Sequence, residues 1–202
     1  NGEEILALAE GMELGNYQFL TYKKDPVKKK NTLETIFFLS KNVTRKEVDL
    51  LNIKIEGTFR CRDLVNEPVI HLNASRLAAE IEKMGRAVGA EVEILNRKKI
   101  EALKMGGLLA VNRGSQNPPT FTIFEWKPPK PVNKKPYVLV GKGVVFDTGG
   151  LNLKTGTNMD NMKYDMAGAA AVAAVVYSVA KAGLPLHVIA LVPATDNRPG
   201  ED

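Results

Sequence analysis

The chain has 202 residues, 44% hydrophobic and 25% charged, with a formal net charge of +5; that is enough length to bury a core and an ordinary globular composition. Its basic residues come in clumps, such as Lys28–Lys30 and Arg97–Lys99, not in the one-sided stripe that a nucleic acid or membrane surface selects. The single cysteine, Cys61, excludes an internal disulfide framework and suits a reducing cytoplasm, and no apolar run approaches the ~20 residues of a membrane span.

The start, "NGEEILALAEGMELGNY", is acidic, unlike a signal peptide. Its apolar residues Ile5, Leu8, Ala9 and Met12 fall at helical spacing, and Gly15 stops the pattern. "PVKKKN" reads as a solvated turn and "ETIFFLS" as a short buried strand. Residues 44–65 read as one long helix opened by a Thr44/Glu47 capping box and ended by Pro68. A second helix opens at Asn73 or Ser75, followed by a strand "EVEIL" and a short helix "RKKIEAL". "MGGLLAVNRGSQNPP" reads as a glycine-rich connection, "TFTIFEW" as a strand, "KPPKPVNKK" as an exposed turn and "PYVLVG" as a buried strand. "AGAAAVAAVVYSVAKAG" is an alanine-rich helix closed by Lys181 and Gly183, and "LHVIALVP" is another buried strand. Strands and helices alternate and several strands are apolar throughout, so the predicted class is α/β, with a mixed, largely parallel sheet covered by helices.

Between "PYVLVG" and the alanine-rich helix lies "GKGVVFDTGGLNLKTGTNMDNMKYDMAGAA", residues 141–170, which sets Lys142, Lys154, Lys163, Asp147, Asp160 and Asp165 among glycines. This is the carboxyl edge of a sheet, where α/β proteins place their sites. Carboxylates fixed there bind hard or borderline cations. A lysine beside them clamps a developing oxyanion, or becomes a neutral ligand when burial and a metal depress its pKa. Each residue also has a plainer reading. Asp165 suits a helix N-cap, Asp147 suits a turn cap with Thr148 and the two glycines, and Lys142 and Lys154 would ordinarily be solvated. Phosphate cradling is disfavoured, since neither glycine-rich phosphate motif occurs.

The full spacing "GKGVVFDTGGLNLK…MKYDMAGAA" closely resembles the signature of the leucine aminopeptidase family, the two-metal cytosolic aminopeptidases. Further blocks follow in family order: "CRDLVNEP" (61–68), "MGGLLAVNRGSQNPP" (105–119) and "LPLHVIALVPATDN" (184–197). The resemblance covers nearly the whole chain and is weakest before about residue 55. It implies that Lys142 and Asp147 bind metal, with Asp147 bridging two ions, and that Asp165 is a ligand of the tighter-held ion. It implies that Lys154 polarises the scissile carbonyl and that Met162 lines the pocket for the substrate's first side chain. Asp160, Lys163, His71 and His187 receive no role.

The implied cofactors are two divalent ions, zinc or manganese first, with magnesium or cobalt able to fill the exchangeable position. The implied activity is release of amino-terminal residues, leucine among them, from peptides by a metal-activated water. A cytoplasmic hexamer of two trimers is implied as well. The family's later N-T-D-A-E-G-R segment has no match here, and Glu201 and Asp202 lack its pattern. The expectation is therefore a middle slice of a zinc-exopeptidase-like protein, inactive by itself. Residues 1–55 would hold the linker helix and the start of the catalytic domain, and 56–202 the first half of that domain. A nucleic-acid-binding role and a non-catalytic relative are the rival readings.

Overall fold

The computed structural model describes residues 1–200; Glu201 and Asp202, whose carboxylates the sequence left without a family role, lie outside the described residues. The chain divides into two compact units, Asn1–Phe59 and Arg60–Asp202.

The first unit is helical. Helix α1 (Gly2–Asn16) begins at a reciprocal cap in which the Asn1 side chain accepts from the Glu4 N–H and Glu4 returns to the Asn1 backbone. It runs one residue past Gly15. The lysine-rich turn contains a single helical turn, α2 (Pro26–Lys29), with proline at its first position. Helix α3 (Arg45–Asn66) opens on the expected box: Glu47 accepts from the Thr44 N–H and hydroxyl at 2.7 Å each, and Thr44 accepts from the Glu47 N–H at 3.3 Å. Ala9, Leu51 and Ile55 form a small buried cluster with Leu6, Leu14 and Phe59 against it.

One predicted element does not form here. "ETIFFLS" is extended coil without a strand, with Phe37 91% exposed and Leu39 fully exposed. No strand exists anywhere in residues 1–59, and a lone strand leaves its backbone groups unpaired and its side chains wet.

The second unit holds the sheet. Strands β1 (Glu91–Leu95), β2 (Thr120–Trp126), β3 (Tyr137–Val140), β4 (Gly143–Asp147) and β5 (Val188–Asn197) make the mixed sheet that the alternating elements predict. β1 pairs antiparallel with β2 and β2 antiparallel with β5, while β3 and β4 both run parallel to β5. Helices α4 (Ala74–Val88) and α7 (Ala167–Lys181) supply most of the helical core. α4 is capped by Asn73, whose side chain accepts from the Arg76 N–H at 2.9 Å, and ends at the left-handed Gly89. Its buried Leu77, Ile81 and Met84 share one cluster with Phe124, Val145, Ala190, Val192 and Ala194 of the sheet. α7 contributes Ala169, Ala170, Ala173, Val176 and Tyr177.

Two further expectations change. The glycine-rich connection contains helix α6 (Gly106–Asn112), after the short helix α5 (Arg97–Ala102). Its end is locked by the fully buried Asn112, which accepts from Arg97 and donates to the Asn117 carbonyl and the Thr195 hydroxyl; tertiary bonds outweigh the poor helix propensity of two glycines. β3 is not buried. Tyr137, Val138 and Val140 are half exposed or more, on a strand that among the described residues pairs only with β5.

Candidate active site

β3 and β4 are two pieces of one line alongside β5, interrupted at Gly141 and Lys142. The interruption brings the backbone against α7: a Cβ on Gly141 would lie 2.6 Å from the Ala169 Cα, so only glycine fits. The Ala169 N–H donates to the Lys142 carbonyl at 3.0 Å, tying the foot of α7 to the strand. Lys142 then reaches Asp165, just before α7, with Nζ 2.7 Å from Oδ2.

Asp165 is not the N-cap of α7. Met166 holds that place, without a side-chain capping bond. Asp165 Oδ2 is excluded from solvent and has no hydrogen bond, so the Lys142 contact is an ion pair whose angles miss those of a hydrogen bond. The 2.7 Å distance establishes the charge pairing at that oxygen.

Asp147 is more firmly held. Its Oδ1 accepts from the Gly149 N–H at 2.9 Å and the Asn197 amide at 2.7 Å, and its Oδ2 lies 3.0 Å from Lys154 Nζ. Burial pushes the carboxyl up, but the Gly149 N–H, the Lys154 ammonium and the Asn197 amide outweigh it and hold Asp147 below the ordinary carboxylate range. The turn-cap reading of Asp147 is thus realised together with the charge pairing. Gly149 and Gly150 take φ of +90° and +67°, values that fold the chain back so that the Lys154 N–H donates to the Thr148 carbonyl at 2.8 Å.

Lys142 and Asp147 are five residues apart, which on a regular strand would put them on opposite faces. A register shift intervenes. Gly143 lies opposite Ala194 and Val144 opposite Thr195, whereas Asp147 lies opposite Asn197. One extra residue on β4 reverses the alternation before Asp147. Four of the five candidate residues fall into two charge pairs, Lys142 with Asp165 and Lys154 with Asp147, while Met162 shares with Lys154 an open cavity of about 480 Å³. Lys163 instead donates to the Asn66 carbonyl at 2.9 Å, and His187 meets Glu125.

Among the described residues no three His, Cys, Asp or Glu side chains cluster as a metal nest. A lysine-containing ligand set falls outside that pattern. Sequence reasoning missed Asn197, Asn112 and Asp196. Asn197 stood at the end of the quoted "PATDN", and its signal was a polar residue following a strand that ends at the same sheet edge. Asp196 is 1% exposed, and its Oδ2 accepts from Arg198 at 2.6 Å and Asn117 at 3.4 Å.

The comparisons with known proteins agree with one another. The sequence model of the cytosol aminopeptidase family, catalytic domain, matches residues 59–202. A probable cytosol aminopeptidase of Chlorobium limicola is 46% identical over 96% of this chain and 40% of its own length. One from Chlorobaculum tepidum is 44% identical over 98% and 42%. Among solved structures, the bottromycin maturation enzyme BotP in complex with Mn superposes with a TM-score of 0.87 at 34% identity, over 99% of this chain and 41% of that one. Caenorhabditis elegans leucine aminopeptidase also gives 0.87, at 26% identity over 98% and 39%. The chain thus spans about 40% of the length of the first of these curated relatives. It belongs to the cytosol aminopeptidase family, in whose catalytic domain its second unit lies.

Proposed function

We propose that the protein carrying this chain is a metal-dependent aminopeptidase that removes amino-terminal residues, leucine among them, from peptides. The observation that carries this reading is the pair of lysine–aspartate contacts at one sheet edge, Lys154–Asp147 at 3.0 Å and Lys142–Asp165 at 2.7 Å. The residues fit divalent ions on three counts. Their oxygens suit hard or borderline cations, a cationic group already lies beside each carboxylate, and Asp165 Oδ2 is buried without a hydrogen bond. A Mn complex of the structural relative BotP supports the same reading.

Asp147, Asp165 and the neutral amine of Lys142 are the side chains of this chain that would hold the divalent ions. When bound, the ions supply a water of lowered pKa and a Lewis acid for the carbonyl. Zinc is the first choice, then manganese, with magnesium or cobalt at an exchangeable position. Lys154 stabilises the negative charge that develops on the scissile carbonyl oxygen, an interaction stronger in the transition state than in the ground state. Met162, on the same cavity, bounds the pocket for the first side chain and so bears on which residue is preferred.

The reading extends to a cytosolic enzyme assembled as a hexamer. Among the described residues no helix is long and apolar enough to cross a membrane. The 202-residue chain by itself is expected to be inactive, since it supplies Lys142, Asp147 and Asp165 without the family's later aspartate and glutamate. The test is hydrolysis of leucine anilide by the full-length protein, stripped with chelator and then reloaded with zinc or manganese. Loss on stripping and recovery on reloading is the expected result. Hydrolysis that survives complete metal removal overturns the reading.

A further inference from the structure

Asn197 has no place in the reading above, yet its contacts set it apart. Its amide Nδ2 donates to Asp147 Oδ1 at 2.7 Å. Its backbone carbonyl accepts from both the Thr148 N–H at 2.9 Å and the Thr148 hydroxyl at 2.8 Å. One residue of β5 therefore grips two consecutive residues of the site loop. The grip exists only because of the register shift, which puts Asp147 opposite Asn197. The loop also leaves room for the amide: a Cβ on Gly150 would come within 2.8 Å of Asn197 Oδ1.

The end of β5 is itself braced on the far side. Thr195 accepts from the buried Asn112 at 3.0 Å, Asp196 accepts from Arg198 and Asn117, and a Cβ on Gly114 would meet the Arg198 carbonyl at 2.2 Å. The segment "VNRGSQN" thus packs against the strand end from which Asn197 projects. That explains why a block remote in sequence belongs with the site.

With the Gly149 N–H and the Asn197 amide both on Oδ1, the Asp147 carboxylate cannot rotate without losing two bonds. We infer that Asn197 is a positioning residue that locks the Asp147 carboxylate, so that Oδ2, the oxygen facing Lys154, is the one presented to a bound cation. The inference rests on the proposed metal role of Asp147. An amide suits this position because it donates without adding charge. Outer partners of this kind orient ligands and tune affinity.

The experiment uses full-length protein with Co²⁺ as the probe, comparing Asn197→Ala and Asn197→Leu with the wild type and with Asp147→Asn. Affinity is read from metal-buffered titration, ligand geometry from the visible absorption of the Co²⁺ form, and folding from the melting temperature. Both Asn197 variants are expected to weaken Co²⁺ binding about 10–100-fold and to shift the absorption bands, while kcat falls more than KM rises. Unchanged affinity and spectrum in both variants, with Asp147→Asn losing the ion, overturns the inference and leaves the metal reading standing. A lowered melting temperature with unchanged affinity and spectrum overturns it too, by reducing Asn197 to a structural bond. Undiminished Co²⁺ binding by Asp147→Asn overturns the metal reading and this inference together.

Discussion

The two lysine–aspartate pairs use the same chemistry and are built differently. Asp147 sits at the end of β4 with two donors on one oxygen and Lys154 on the other. Its partner lysine is 30% exposed along the side chain. Asp165 sits between a 3-10 turn (Met162–Tyr164) and α7, with Lys142, whose side chain is 59% exposed, 2.7 Å away. The first carboxylate is held by backbone and neighbouring strand, so its geometry should survive the loss of its lysine. The second depends on how closely α7 approaches the strand, and that approach depends on Gly141. A polar scaffold positions one group, and a small-residue packing contact positions the other.

The largest effects should come from breaking each pair at its acid. Asp147→Asn in the full-length protein is expected to abolish metal retention and to lower leucine-anilide turnover by more than the 10–100-fold typical of an outer partner. Asp165→Asn should weaken one ion selectively. Metal content after dialysis, beside turnover, checks the contrast, and equal losses of both ions in the two variants would erase it.

Breaking the pairs at their lysines separates them by role. Lys154→Ala should cut kcat by about 10²–10³-fold, the range for removing one transition-state donor, with metal content nearly unchanged. Lys142→Ala should lower metal content first. Quantified metal and kcat on the same preparations decide this, and loss of metal in Lys154→Ala would exchange the two assignments.

Smaller effects test the two scaffolds. Gly141→Ala places a methyl 2.6 Å from the Ala169 backbone and should cost about 1–3 kcal/mol of stability, as overpacking does, while moving Asp165 away from Lys142. Gly150→Ala forces a side chain into φ +67° and against Asn197, at about 1–2 kcal/mol, and should disturb Asp147 alone. Denaturant midpoints rank the two, and metal affinity shows which pair each one reaches.

The smallest effect offers a reference carboxylate held by donors without a lysine. Glu47 is kept below its ordinary value by the Thr44 hydroxyl and then the Thr44 N–H. Because its folded value is depressed, the stabilisation it gives is complete above the unfolded carboxylate pKa and fades as pH falls through the folded value. The difference in melting temperature between wild type and Glu47→Gln should therefore shrink toward zero on acidification. A difference that grows instead would contradict the sign.

Much of the fold was legible because the signals were local. The Thr44/Glu47 box, the Asn73 cap, the alternation of "EVEIL" and the alanine-rich run each act within a few residues, and the helices and strands formed where they pointed. The identical reading failed for "ETIFFLS" and for the exposure of β3, because an apolar run says nothing about whether a neighbouring strand is there to cover it. The candidate residues Lys142, Asp147, Lys154, Met162 and Asp165 were nameable from spacing and resemblance. How they pair was not. Asn197 escaped because its importance lies in facing Asp147 across a register, 50 residues away.

By itself the sequence determined the α/β class, most helix boundaries and the family, since caps, periodicity and motif spacing are properties of short segments. Tertiary structure decided that two glycines could stand inside α6, that Asp165 would face Lys142 and not cap α7, and that one extra residue in β4 would turn Asp147 toward Asn197. Each of these depends on contacts between segments distant in the chain, whose energies outweigh local preference by too little, and too specifically, for local pattern to announce them.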